Sequence, residues 1–365
     1  MTLPFENLDR QDRILAVAGV TLAVLLAAMM LLPVPYAVQR PGPTVDTLSE
    51  RDGTPLIEVD GAPVYPASSG ELRLTTVSVS GGPDNPVGAF EALEGWIRGD
   101  TSVMPREDAF GEADAEELSD FQQAQMAASQ SNAAAAALQE LGYVVPMALR
   151  VAETIPDSNA AGALDVDDVL TAVVRLDTGA RVDLVDFRDL TDFMRGVPPG
   201  TTLEVEYDRG GAAGSARFET SPRPDGDTRP GSVLGVYVSA DVTLPVDVSF
   251  DITNIGGPSA GLMFALGVIE VMTPGTLTGG EAIAGTGTMS VDGYVGGIGG
   301  IRQKMHGAAR DGATWFLAPV QNCAEVVGYE PAGLSVVAVE DLTQAVDAVE
   351  AIAAGDVDLP RCPTP

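Results

Sequence analysis

The first clear feature in the pattern of apolar and polar positions is a long apolar run near the amino terminus. Residues 14–36 are uncharged and largely apolar, and they follow a polar stretch of mixed charge at residues 1–13. About 20 apolar residues span a bilayer, so this run predicts a transmembrane helix. A cleaved signal peptide is the alternative, although its apolar core covers only about 7–15 residues before a small-residue cleavage site. Arg10 and Arg13 before the run, against Arg40 after it, favour a cytoplasmic segment at residues 1–13 and a chain that otherwise lies outside the cytoplasm.

The next stretch, residues 37–141, predicts a juxtamembrane α/β region. Apolar and polar side chains alternate at residues 72–79, which is typical of a β-strand. Residues 115–141 are rich in Ala, Gln and Glu and predict one long helix. The neighbouring carboxylates Glu116 and Glu117 indicate a solvated face of that helix rather than a catalytic pair.

Residues 142–222 predict a small domain in which strands pack around one amphipathic helix. Its strands are expected at residues 149–152, 168–173 and 201–208, and its helix at residues 184–195. A stretch rich in Pro, Gly and Asp at residues 222–231 predicts a linker to the last domain.

The last domain, residues 232–355, contains a buried, mostly apolar helix at residues 260–272. Further strands are expected at residues 314–319 and 334–339, and further helices at residues 323–327 and 342–354. Because every folded segment mixes helices with strands, the chain is expected to be an α+β or α/β multidomain protein.

Composition limits the partners and cofactors of the chain. With 52 acidic and 20 basic residues the net charge is −32, whereas nucleic-acid binding needs clusters of Lys and Arg. Cys323 and Cys362 are the only cysteines, too few for a zinc cluster, and neither a metal nor an organic cofactor is expected. An oxidising compartment permits a disulfide between these two cysteines, and two unpaired thiols are the alternative.

The scarcity of lysine and histidine narrows the catalytic options. Lys304 is the only lysine among 20 basic residues, and His306 is the only histidine. Arg keeps its proton at physiological pH whereas a desolvated Lys can release it, so Lys304 is the candidate general base. His306 lies about 200° further around a helix and cannot point at the same serine. A serine paired with a lysine is the form of covalent catalysis that remains.

Ser259 is the candidate nucleophile. Gly256, Gly257 and Pro258 precede it and predict a tight turn, and the apolar helix follows. The serine is therefore expected at a helix N terminus, where the backbone N–H groups of Gly257 and Ser259 can hold an oxyanion. A serine that merely caps the helix is the alternative.

Two motifs in this region resemble the proteolytic domain of the Lon proteases, peptidase family S16. They are GPSAG at residues 257–261 and GGIRQK at residues 299–304. The resemblance covers residues 232–355 and implies that Ser259 is the nucleophile, that Lys304 is its general base, and that Thr286 hydrogen-bonds the lysine. The sequence departs from the family at Gly256, where an acidic residue is usual.

The middle domain is similar to the PDZ domains of bacterial proteases. The likeness depends on AGAL at residues 161–164, DVL at residues 168–170 and PGT at residues 199–201, with Asp167 in place of the usual glycine. A PDZ-like domain over residues 142–222 implies that it captures peptide ends by strand addition. A small packing domain without a ligand is the alternative.

The order of the segments resembles that of the membrane-anchored bacterial Lon-like peptidases with PDZ domains. The resemblance implies a single-pass protein of the cell membrane whose extracytoplasmic serine endopeptidase cleaves flexible or unfolded protein segments. The chain has no Walker motif, so cleavage without ATP is expected. Lon-type domains assemble as rings, which implies a hexamer. A catalytically silent binding or scaffold protein, and an acyltransferase or amidase with the same Ser-Lys pair, are the alternatives.

Overall fold

The structure is a computed structural model of the 365-residue chain. It describes residues 9–51, 53–65, 69–82, 84–111, 115–156, 158–224, 227, 229–252 and 255–363. Most of the predicted cytoplasmic segment, residues 1–8, lies outside the described residues, as do residues 225, 226 and 228 of the predicted linker.

Helices and strands alternate along the described chain. The helices are α1 (Arg10–Leu31), α2 (Ala89–Ile97), α3 (Arg106–Phe110), α4 (Ala115–Glu140), α5 (Phe187–Arg195), α6 (Gly261–Met272), α7 (Ile301–Arg310), α8 (Cys323–Val326) and α9 (Leu342–Ala353). The strands are β1 (Tyr36–Asp46), β2 (Glu50–Arg51), β3 (Thr54–Pro55), β4 (Ile57–Asp60), β5 (Glu71–Ser80), β6 (Ser102–Pro105), β7 (Met147–Thr154), β8 (Val169–Arg175), β9 (Arg181–Asp183), β10 (Thr202–Arg209), β11 (Ala212–Glu219), β12 (Val236–Val242), β13 (Asp247–Phe250), β14 (Ala282–Gly285), β15 (Thr288–Met289), β16 (Val295–Gly296), β17 (Trp315–Pro319) and β18 (Ser335–Val339). The strands and helices expected within residues 72–354 are confirmed, with ends that shift by a few residues.

Six strands form one mixed sheet in the order β18-β17-β14-β5-β1-β6. The first four run parallel, and β1 runs antiparallel to both of its neighbours. The sheet joins strands from residues 37–141 to strands from residues 232–355, two segments that the sequence pattern treats separately. The reason is that β14 pairs with β5, more than 200 residues away, and such a pairing leaves no local signal.

The helix α6 lies at the centre of the main core. It is apolar on almost its whole circumference, and its residues from Gly261 to Glu270 are all buried. A helix of this composition is stable only when other elements cover it on every side. It packs against α4, α9 and β5, and this packing brings its N terminus close to the sheet.

A second, antiparallel sheet has the order β11-β10-β8-β7-β12, with β9 paired to β8. α5 packs against this sheet and begins with a capping box at Asp186 and Asp189. The edge strand β12 pairs with β7, for example at Val238↔Val151. The middle sheet therefore extends to Val242, beyond the boundary at residue 222 that the sequence pattern suggests.

The predicted transmembrane helix at residues 14–36 is wrong. In the described part of the chain, none of the helices combines the length and the hydrophobicity that a bilayer crossing requires. The physical reason is that α1 ends at Leu31 and the rest of the apolar run belongs to the folded body. Val34 N–H bonds to the Val87 carbonyl at 2.9 Å, and Tyr36 is the first residue of β1.

Cys323 and Cys362 form a disulfide. Cys323 is the buried first residue of α8, and Cys362 lies in the C-terminal tail. The tail also runs beside β18, where the Ala338 N–H bonds to the Pro360 carbonyl at 2.9 Å. The cross-link therefore holds the tail against the Lon-like segment.

Candidate active site

A glycine-rich turn presents Ser259 just before α6. Gly257 has φ of +85°, a left-handed conformation that favours glycine. The N-cap of α6 is Ala260, and no side chain caps the helix there. The Ser259 hydroxyl is hydrogen-bonded to Lys304 instead, so a purely capping serine does not describe this structure.

Lys304 approaches the serine from α7. Its Nζ lies 2.7 Å from Ser259 Oγ and 2.8 Å from Thr286 Oγ1. The lysine is only 2% exposed, and this burial lowers the pKa of Lys304 to about 7, because an ammonium group is disfavoured away from water. A large fraction of the lysine is therefore neutral at physiological pH.

Thr286 orients the amine. It follows β14 directly and is fully buried. Its hydroxyl donates a hydrogen bond to the carbonyl of Ser259 at 3.0 Å, so Thr286 Oγ1 has only lone pairs left for Lys304. The lysine must donate to Thr286, and when it is neutral its own lone pair is left for the Ser259 hydroxyl. The Gly287 N–H also donates to the Ser259 carbonyl, at 2.9 Å.

A groove of about 520 Å³ opens in front of the serine and the lysine. Residues 74–79 of β5 line it together with residues 255–257 and with Gln122 and Met126 of α4. β14 pairs with β5 only as far as Leu74, while β5 continues to Ser80. On that side the later part of β5 has no strand partner among the described residues, so a strand edge lines the groove.

The helix α4 supports the serine turn, a role that the sequence did not predict. The Ser129 hydroxyl donates to the Pro258 carbonyl at 3.0 Å, near the middle of α4. A Cβ built on Gly256 would lie 2.8 Å from Gln122 Cβ, closer than real side chains approach. Gly256 therefore lets α4 pack against the turn at a position where the Lon proteases usually carry an acidic residue.

The two N–H groups expected to hold an oxyanion differ in whether they are already hydrogen-bonded. The Gly257 N–H donates to the Gln122 carbonyl at 3.0 Å, so in this conformation it is engaged by α4. The Ser259 N–H has no acceptor among the described residues. Of the two, only Ser259 therefore presents an N–H that is ready to bind a developing negative charge.

The remaining candidates do not join the site. His306 is half-buried on α7, and within the described chain it is a hydrogen-bond partner of neither Ser259 nor Lys304. No group of three His, Cys, Asp or Glu side chains in the described residues has the arrangement of a metal site.

Comparisons with known proteins agree with this geometry in the C-terminal segment. Residues 240–350 match the family model described as the Lon protease (S16) C-terminal proteolytic domain. The match supports a Lon-like peptidase domain of the serine type over this part of the chain. It starts within β12 and contains Ser259, Thr286 and Lys304, but it includes neither β1 nor β5.

The other comparisons add little. No curated protein matches the chain at a significant level. Among solved structures, the PDZ domain of an SdrC-like protein from Listeria monocytogenes matches 25% of this chain and 86% of its own length, at 18% identity and a TM-score of 0.21. A TM-score of that size is too low to indicate a shared fold.

We expect Thr286→Val to lower kcat about tenfold, with little change in KM. A tenfold loss corresponds to a reaction barrier that is ~1.4 kcal/mol higher. Valine has the shape of threonine but neither accepts from Lys304 nor donates to the Ser259 carbonyl. Steady-state kinetics on a fluorogenic peptide checks this result. Thr288→Val is the matched control, because Thr288 lies two residues further on and does not contact Lys304. A kcat equal to that of wild type would mean that Thr286 does not position the amine.

Proposed function

We propose that this chain is a serine endopeptidase in which Ser259 is the nucleophile and Lys304 its general base. The observation that carries the proposal is the 2.7 Å contact between Lys304 Nζ and Ser259 Oγ at the end of an open groove. The lone lysine is buried, and its pKa is lowered to about 7. A general base works best when its pKa is close to the operating pH.

The chemistry begins with neutral Lys304. Its lone pair takes the proton of the Ser259 hydroxyl while Oγ attacks the scissile carbonyl, so the C–O bond forms as the O–H bond breaks. Lys304 then gives that proton to the leaving amine as the C–N bond breaks, which leaves an acyl-enzyme. Water then attacks the ester carbonyl while neutral Lys304 takes its proton. Lys304 returns that proton to Ser259 Oγ as the ester C–O bond breaks, which releases the acid product and free Ser259.

The tetrahedral oxyanion would be held by the Ser259 N–H. A second donor, the Gly257 N–H, becomes available only if its bond to the Gln122 carbonyl breaks. A substrate that displaces this contact would complete the oxyanion hole, which typically has two donors. In this proposal α4 acts on catalysis through the turn that it supports.

The groove favours extended substrates. The free edge of β5 beyond Leu74 offers backbone N–H and C=O groups, which an extended peptide can pair with as an added strand. A folded domain does not supply such a strand, so the substrates are flexible or unfolded protein segments. ATP is not required, because the chain has no Walker motif to couple unfolding to cleavage.

The middle sheet is proposed as a PDZ-like peptide-capture module. Its edge strand β12 and the helix α5 enclose a second groove of about 460 Å³, here called the α5–β12 groove. At its loop end, the N–H groups of Leu234 and Gly235 donate to no described residue, and Gly235 has φ of +86°. Neighbouring free N–H groups of this kind bind a carboxylate, such as the end of a peptide.

The test of the proposed function is cleavage of unfolded casein by the full chain with and without ATP. We expect Ser259-dependent cleavage at a rate that ATP depletion changes by less than about twofold, since no ATP-driven step precedes a chemical step of this kind. Ser259→Ala is the control for contaminating proteases. Strict dependence on ATP would refute the ATP-independent part, and no cleavage together with no labelling by a serine-reactive probe would favour the silent binding protein. A hexameric ring and an extracytoplasmic location stay predictions.

A further inference from the structure

The α5–β12 groove is lined by both halves of the chain. Leu190 and Met194 of α5 and Val236 and Val238 of β12 supply its apolar lining. The Lon-like segment contributes further lining residues, namely Asp292, Tyr294, Glu340 and Asp341. A ligand in this groove therefore contacts side chains that the middle sheet does not provide.

The cationic side chains in the groove are already paired. Three arginines line it, Arg195, Arg223 and Arg229. Arg195 pairs with Asp192 at 2.9 Å. Arg223 and Arg229 share the carboxylate of Asp227, at 3.0 and 2.7 Å. None of the three needs an anion from a ligand.

The carboxylates of the Lon-like segment have no such partner. Asp292, Glu340 and Asp341 form no ion pair with any described residue. Asp292 accepts a hydrogen bond from the Ser290 hydroxyl, and Asp341 accepts one from the Gln344 N–H at 2.8 Å. The Glu340 carboxylate has no hydrogen-bond partner in the described chain. Asp292 interacts with the nearby Arg229 guanidinium without a direct ion pair, so Glu340 and Asp341 are the carboxylates most open to a cation from a ligand. Half-buried carboxylates of this kind attract a positively charged group more strongly than exposed ones do.

The length of α5 sets the distance between the carboxyl terminus and the cationic side chain of such a ligand. At its end, the Ser232 N–H bonds to the Met194 carbonyl at 3.3 Å, next to the free N–H groups of the loop. At its start, Arg188 Nε bonds to the Asp292 carbonyl at 3.2 Å. A nine-residue helix is about 13 Å long at ~1.5 Å per residue. An extended peptide covers that distance in about four residues at ~3.3 Å each.

We propose that the α5–β12 groove selects peptides with Lys or Arg three to five residues before an apolar carboxyl terminus, and that Glu340, Asp341 and Asp292 bind the cation. The proposal rests on the peptide-capture role proposed above and goes further in naming the ligand. Through it, the Lon-like segment takes part in choosing which chain ends are captured. The groove is thereby a specificity site to which both the middle sheet and the Lon-like segment contribute residues.

The test is fluorescence anisotropy with the full chain carrying Ser259→Ala, so that the probe is not consumed. The probe is a fluorescein-labelled nonapeptide with lysines at the fourth and fifth positions from a terminal valine, and its counterpart has glutamines there. At about 0.15 M salt, where distant charges are screened, we expect the lysine probe to bind about tenfold more tightly. The same probe with an amidated terminus should bind more weakly.

The net charge of −32 attracts any cationic peptide, so a charge-matched control is needed. Glu340→Gln with Asp341→Asn should reduce the preference for lysine to about twofold; Asn keeps the cap of α9. Asp347→Asn with Glu350→Gln removes the same charge from exposed positions of α9 outside the groove and should keep the tenfold preference. Glu340→Gln alone, at a side chain without a partner, should give an intermediate loss and guards against misfolding of the double variant.

Two results would overturn the inference. One is an equal loss of preference in both double variants, which would assign the attraction to overall charge. The other is a lack of any difference between the lysine and glutamine probes. Casein cleavage by the chain with intact Ser259, measured in parallel, separates this inference from the proposed function. Cleavage without selective binding removes only the inference, and selective binding without cleavage removes only the peptidase.

Discussion

Lys304→Arg is expected to lower kcat/KM on unfolded casein by about a thousandfold, within the ~10²–10⁴ that a general base contributes, although the variant keeps a positive charge. Arg holds its proton at every accessible pH, so it cannot take the proton of Ser259. The wild-type lysine can, because burial lowers its pKa to about 7. The measurement is the initial rate of casein cleavage by the full chain.

Two further variants make this result interpretable. Lys304→Met has a similar length and no charge, and it should be as inactive as Lys304→Arg while it fits the buried site. It therefore separates loss of the base from misfolding caused by a bulkier guanidinium group. Ser259→Ala should be equally inactive, since residues that act as one unit do not contribute additively. Full activity of Lys304→Arg would mean that only a positive charge is needed at this position and that Lys304 is not the general base.

The lowered pKa of Lys304 should also appear in the pH dependence of the free energy of unfolding. Between pH 7 and its ordinary pKa near 10.5, Lys304 is mostly neutral in the fold but protonated in the unfolded chain. The unfolded state then binds more protons, so the free energy of unfolding rises with pH over this window. Lys304→Met should lack this rise, whether or not the protein is a peptidase.

Local patterns predicted the parts of the site that depend on neighbouring residues. A turn of two glycines and a proline before an apolar helix was enough to place Ser259 near a helix N terminus. The rarity of lysine drew attention to Lys304. Each of these features depends on a few consecutive residues or on composition, which a sequence displays directly.

Distant pairings set the parts that the sequence did not predict. α4 holds the serine turn through Gln122 and Ser129, more than 120 residues before Ser259, and neither residue type signals such a contact. β12 was assigned to the last domain because it follows a Pro- and Gly-rich stretch, yet its ladder partner is β7. The length of the apolar run at residues 14–36 was not a sufficient criterion for a membrane helix, because the last residues of the run enter the sheet through Tyr36.

The pH dependence of cleavage is the second large effect that we expect. Below pH 7, log kcat/KM should rise with a slope near one, and above pH 8 it should be flat. Only the neutral lysine can act as base, and a pKa of about 7 leaves about 1% of it neutral at pH 5, so the rate should fall about a hundredfold between pH 8 and pH 5. The measurement is the rate on a fluorogenic peptide across this range.

A parallel experiment assigns the titration to the site rather than to the substrate or to the fold. The rate at which a fluorophosphonate labels Ser259 depends on the same proton transfer, so it should follow the same curve without any peptide. Enzyme held at pH 5 and returned to pH 8 should recover full activity, which excludes irreversible acid denaturation. A midpoint near 10 would mean that Lys304 is not desolvated in solution as it is here. Its ammonium would then be the dominant form at neutral pH, and cleavage there would depend on a small neutral fraction of the lysine.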